Sequence, residues 1–155
     1  MEINGLPLHP LVVHAAVIFV PLAALAALAY ALVPKWRWAL RHPSLALAVV
    51  AAASTQVASL SGESLRDDRG LFTPAVETHE LWAGRMLYSV WVLAGLVAVA
   101  WWALPHVTAL AGRKDREARV GALVIPLTVL LPLAALVTLF LAYKTGDAGA
   151  KAVWG

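Results

Sequence analysis

Asn4-Gly5-Leu6-Pro7-Leu8-His9-Pro10-Leu11-Val12-Val13-His14 sets two histidines at the mouth of an apolar run, Leu11–Val33. Twenty-odd apolar residues in helical form span about 30 Å, the thickness of bilayer hydrocarbon. Imidazoles at the head of such a helix are costly in lipid and therefore need partners. The rest of the chain is read as what supplies them. No Lys or Arg precedes the run, and it exceeds a signal peptide's apolar core, so it is expected to stay as a permanent helix.

Working outward, three more apolar segments qualify as spans: Ser44–Leu60, Leu81–Leu104 and Val120–Ala142. Of the 155 residues, 61% are hydrophobic and 14% charged. A soluble domain keeps about a quarter of its residues charged, so this chain is solvated largely by lipid. Open strands cannot cross lipid, and the spans are therefore helices. The expected fold is an all-α integral membrane protein, a single four-helix bundle over residues 1–155 with helices at about 10–33, 40–61, 74–104 and 119–143.

Punctuation agrees with this reading. Pro10 suits a helix start, Pro34 and Pro105 suit helix ends, and Thr73-Pro74 reads as a cap with proline following. Pro21, Pro126 and Pro132 fall inside spans, where each frees a carbonyl.

Lys35, Arg37, Arg41, Arg113, Lys114, Arg116 and Arg119 flank one side of the spans. Arg66, Arg69, Arg85, Lys144 and Lys151 flank the other, diluted by seven carboxylates. The basic excess predicts both termini on the outer side of the membrane, with the first and third loops cytoplasmic. The net charge of +3, spread between apolar runs, fits membrane orientation and not nucleic-acid binding.

A short internal repeat is visible. His9-Pro10-Leu11 matches His79-Glu80-Leu81, and Ser61-Gly62-Glu63-Ser64 matches Thr145-Gly146-Asp147-Ala148. Two tandem hairpins related by a pseudo-twofold axis along the membrane normal would produce it.

This topology gathers His9, His14, Gly62, His79 and Gly146 at the outer end. His9 and His14 are five apart, about 140° around a helix, so both cannot face one ion. One of them pairs more naturally with His79, diagonally across the bundle. Two facing imidazoles suit a b-type haem with both axial positions filled. The expected ligands are His14 and His79, with His9 the substitute for His14. Gly62 and Gly146 would clear space for the macrocycle, and Arg85 or Lys144 would meet its propionates.

That reading makes the chain an electron-transfer protein or complex subunit and not a stand-alone enzyme. It would work beside a periplasmic or membrane redox partner, as one copy or as a homo-oligomer. The chain has no cysteine, so thiolate centres are excluded. It also lacks a phosphate-cradling glycine loop, a His-Glu-x-x-His and a Gly-x-Ser-x-Gly. The alternatives are a copper or zinc site built from the same histidines and nearby carboxylates, or a cofactor-free structural or assembly subunit. Glu63, Asp67, Asp68, Glu77 and Glu80 read as a solvated acidic loop, and Gln56 as an interhelical hydrogen bonder.

The opening Gly5-Leu6-Pro7-Leu8-His9-Pro10-Leu11-Val12-Val13-His14 resembles a known family. So do Ser61-Gly62, His79-Glu80 and the terminal Gly146-x-x-Gly149-Ala150-x-x-Val153-Trp154-Gly155. The family is the bacterial four-helix membrane proteins grouped as domain of unknown function 2231. Its members often read Phe-Pro after the second histidine, where this chain has Ala15-Ala16. Some relatives are joined to Rieske-type iron–sulfur domains, and the resemblance therefore implies a redox setting.

Overall fold

The computed structural model describes residues 2–3, 6–106 and 119–155. Arg113, Lys114 and Arg116, counted above toward orientation, lie outside the described residues. Four helices carry the fold: α1 (Leu8–Leu32), α2 (Arg37–Arg69), α3 (Pro74–Ala103) and α4 (Val124–Trp154). A two-residue antiparallel ladder, β1 (Glu2–Ile3) with β2 (Leu6–Pro7), precedes α1. All four helices are long and apolar enough to cross a membrane.

Each helix packs against its chain neighbours, α1 also packs against α4, and α1 barely touches α3. The chain is thus an up-down-up-down bundle with α1 and α3 on one diagonal. In α1, Ala16, Ala23 and Tyr30 are buried at seven-residue intervals, as are Ser44, Ala51 and Ala58 in α2. A seven-residue repeat is the mark of left-handed, shallow-angle helix packing. The seam is lined with alanine, which lets backbones approach closely where lipid offers no hydrophobic drive between helices. Large apolar side chains such as Ile125, Val129, Leu133 and Phe140 turn outward along α4 and meet the acyl chains.

The expected repeat is present throughout the bundle. A shift of 70 residues carries Val20, Ala23, Ala27 and Tyr30 of α1 onto Val90, Leu93, Val97 and Ala100 of α3. All eight are buried. A shift of 87 carries Ser44, Ala48, Ala51, Ala58 and Ser61 of α2 onto Leu131, Ala135, Thr138, Thr145 and Ala148 of α4. These ten are buried as well. The second register differs by three residues from the sequence match. Ser61-Gly62 corresponds to Ala148-Gly149, and not to Thr145-Gly146.

The even-numbered helices run further than expected. α2 continues past Ser61-Gly62 to Arg69, and α4 continues past Tyr143 to Trp154. The glycines do not stop these helices, because they sit in the packed seam and the polar continuations hold themselves. Ser64 Oγ donates to Asp68 Oδ2 at 3.2 Å, and Lys151 Nζ to Asp147 Oδ2 at 2.8 Å, each one turn apart. α2 finally ends on Gly70, whose φ of 63° is the left-handed cap that glycine adopts freely. The acidic residues read as a loop are helical, and Arg66 forks both oxygens of Glu80 at 2.8 and 2.7 Å, tying α2 to α3. Thr73 caps α3 as expected, accepting from the Val76 N–H at 3.3 Å. Pro126 falls in the first turn of α4, where its missing N–H costs nothing.

Polar groups within the spans are satisfied between helices or along their own helix. Trp91 Nε1 donates to Gln56 Oε1 at 3.1 Å, joining α3 to α2 as the sequence predicted. Ser89 and Thr138 share a 3.0 Å hydrogen bond between α3 and α4. At the end opposite His9, Arg37 is buried and donates to the carbonyls of Tyr30 and Ala31, the last turn of α1. Arg41 does the same for the Trp101 carbonyl of α3 while stacking on that indole. Tyr30 reaches across the bundle to donate to the Ala100 carbonyl at 3.1 Å.

Candidate functional site

His9 lies in the first turn of α1, seven residues before Ala16, and so continues the buried seam to its outer end. Its Nδ1 is 2.9 Å from the Ala58 carbonyl oxygen of α2, with Ser61 Oγ at 3.4 Å. A carbonyl only accepts, so Nδ1 carries the proton and a neutral ring keeps its lone pair on Nε2. The ring lies on Gly62, where an added Cβ would stand 2.9 Å from Cε1.

His79 repeats the arrangement seventy residues on. Its Nδ1 is 3.1 Å from the Thr145 carbonyl of α4, and a Cβ at Gly149 would stand 3.1 Å from its Cε1. The proton is again on Nδ1 and the free lone pair on Nε2. Among the described residues neither Nε2 has a hydrogen-bond partner. A charge on the His9 ring is felt at His79, so the two rings lie within electrostatic reach at the same end of the bundle. Hydrogen bonding of Nδ1–H to a backbone carbonyl is the usual way a protein orients an imidazole whose Nε2 binds a metal.

His14, the first choice from sequence, lies on the exposed face of α1, with Nδ1 turned back to the Pro10 carbonyl of its own helix. The structure therefore brings together His9 and His79 and leaves His14 outside. Gly62 serves the His9 ring directly. Gly146 has open space where a Cβ would be, and Gly149 does for His79 what Gly62 does for His9. Arg85 is exposed on the outer surface of α3, its guanidinium 4.8 Å from the Trp82 ring. Among the described residues no three of His, Cys, Asp or Glu gather into a metal-binding group.

Sequence reading missed Gly149 and the two carbonyls. The small-residue–glycine pairs Ser61-Gly62 and Ala148-Gly149 were the available signal for the first. The carbonyls carry no sequence signal, because every residue has one.

Fold and site together define a four-span membrane protein built of two like hairpins, each presenting one oriented imidazole at the same end. The chain matches the family described as predicted membrane protein (DUF2231) over residues 5–155, and it belongs to that family. No curated protein and no solved structure matches it.

Proposed function

We propose that this chain is a b-type haem protein of the bacterial inner membrane, acting in electron transfer, in which His9 and His79 would hold the iron. Both termini and the haem end face the periplasm, as the basic residues of the loops favour. One observation carries the reading: two imidazoles from diagonal helices, each fixed through Nδ1–H on a neighbouring carbonyl, each with an Nε2 that has no hydrogen-bond partner among the described residues. A donor set of two nitrogens fits haem iron, whose four other ligands belong to the macrocycle. Haem would supply a one-electron couple that the side chains of this chain lack.

The chain's own contribution is orientation. The Ala58 and Thr145 carbonyls hold both rings in one tautomer and raise the basicity of Nε2. Gly62 and Gly149 let the rings settle against α2 and α4. A partner in the membrane or the periplasm would deliver or accept the electron.

The test is an absorption spectrum of protein expressed with ample haem and purified in detergent, oxidised and then dithionite-reduced. A Soret band with sharp α and β bands is expected, lost in His9→Ala and in His79→Ala and kept in His14→Ala. A featureless spectrum would sink the proposal. Copper found stoichiometrically by elemental analysis would instead support a two-imidazole copper site, and neither group would leave a cofactor-free assembly subunit.

A further inference from the structure

The two hairpins correspond position by position, so each serves as a control for the other. Below the His9 contact, the α1–α2 seam is filled by Phe19 and Leu47, which pack against the buried Val20–Ala23–Ala51–Ala52–Val90 cluster. The corresponding residues of the second hairpin are Ser89 and Ala134. Their small side chains leave a cleft of about 340 Å³ between α3 and α4, walled by Tyr88, Val92 and Val137 and headed by Arg85. The cleft opens toward the lipid and its lining is almost wholly apolar.

A second cleft of about 360 Å³ lies further out on the same seam, with Thr78, Trp82, Lys144 and Lys151 among its walls. Arg85 of the first cleft lies against Trp82 of the second. There the Arg85 guanidinium and the Lys144 ammonium converge on one indole, 4.8 and 5.1 Å from its centroid. In the first hairpin the same three positions are Val12, Ala15 and Val57, all uncharged. Among the described residues neither Arg85 nor Lys144 forms an ion pair. Asp147, the nearby carboxylate, is held by Lys151 at 2.8 Å.

Two cations beside an indole at the membrane boundary, above an apolar slot, match the division of a phospholipid into phosphate and chain. From Trp82 to Val92 a helix rises about 15 Å, roughly half the hydrocarbon thickness and so one leaflet. We infer that the α3–α4 seam is a binding site for one anionic phospholipid, its phosphate on Arg85 and Lys144 and an acyl chain in the cleft over Ser89 and Ala134. The α1–α2 seam, with Phe19 and Leu47 at the corresponding positions and no cation beside them, is not expected to bind one.

The test is native mass spectrometry of the detergent-purified protein, titrated with dioleoyl phosphatidylglycerol and with dioleoyl phosphatidylcholine. One phosphatidylglycerol is expected to remain bound at concentrations where phosphatidylcholine does not. Arg85→Gln with Lys144→Gln is expected to weaken retention by more than tenfold, about fivefold for each cation at an anionic lipid surface. Ser89→Phe with Ala134→Leu copies the first hairpin, keeps both cations, and is expected to abolish the preference. A helical circular-dichroism melt of each variant reports folding, and the cation pair decides the matter if the filled variant does not fold. Equal retention of the two lipids would overturn the site. So would displacement by glycerol phosphate, which marks a free-phosphate site, or loss with the cations but not on filling, which marks surface charge alone.

Discussion

Where His9 meets α2 and where His79 meets α4, the two hairpins are alike to the atom type: Nδ1 on a backbone carbonyl, ring on a glycine. About three turns deeper they part, with Phe19 and Leu47 in one seam and Ser89 and Ala134 leaving a cleft in the other. A feature kept in both halves is either demanded by the packing of any such hairpin or by something that needs both halves at once. A feature found in only one half belongs to neither class. The comparison thus sorts residues before any experiment: the paired imidazoles go with what the whole bundle does, the cations and the cleft with what one face does.

The equivalence can be broken most severely at its glycines. Gly62→Val and Gly149→Val should each push an imidazole off its seat and cost about 2–3 kcal/mol by overpacking. Thermal unfolding in detergent, followed by far-UV circular dichroism, measures both. A silent Gly149→Val would break the correspondence of the two helices. At the opposite end, among the described residues, the halves are unequal, because α2 supplies the capping arginines. Arg37→Ala strips two buried carbonyls of a charged donor and should cost about 2 kcal/mol, and Arg41→Ala, part-exposed, about half that. A larger loss from Arg41 would mean that α3 depends on that cap more than α1 does on its own.

Smaller effects sharpen the register. Gly146→Ala enters open space in a helix and should raise stability by up to about 1 kcal/mol. Gly149→Ala, three residues on, should lower it, because the added carbon meets the His79 ring. The reverse pair of signs would restore the register read from sequence. Least of all, His14→Ala should stay within about 0.5 kcal/mol of the parent protein in the same melt, as an exposed substitution does.

Much of this architecture can be read before the structure. Long apolar runs in lipid admit little but helices, so the four spans, the diagonal of α1 and α3 and the match of His9 to His79 all follow from sequence. The lateral choice between His9 and His14 did not. His9 before Pro10 looks like a residue outside the helix, whereas α1 begins at Leu8 and His9 already falls on the seam that Ala16, Ala23 and Tyr30 continue. The seven-residue spacing held that answer, but only once the helix start was known. Gly146 misled for a related reason: Thr145-Gly146 matches Ser61-Gly62 in sequence, and only packing shows that Gly149 is the seat for the second ring. The open cleft at Ser89 and Ala134 was invisible, since its meaning lies in Phe19 and Leu47, and those correspond to it only after both registers are fixed.

The arginines on α2 also bear on the order in which the protein is made. Arg37 finds its acceptors, the Tyr30 and Ala31 carbonyls, within the first hairpin, which can therefore close while the ribosome is still translating the rest. Arg41 and the Tyr30 hydroxyl cannot complete their bonds then, because their acceptors, the Trp101 and Ala100 carbonyls, belong to α3. The first hairpin leaves the translocon with two donors whose acceptors, at the end of the third helix, are still to come. The second hairpin thus arrives at a membrane that already contains its template.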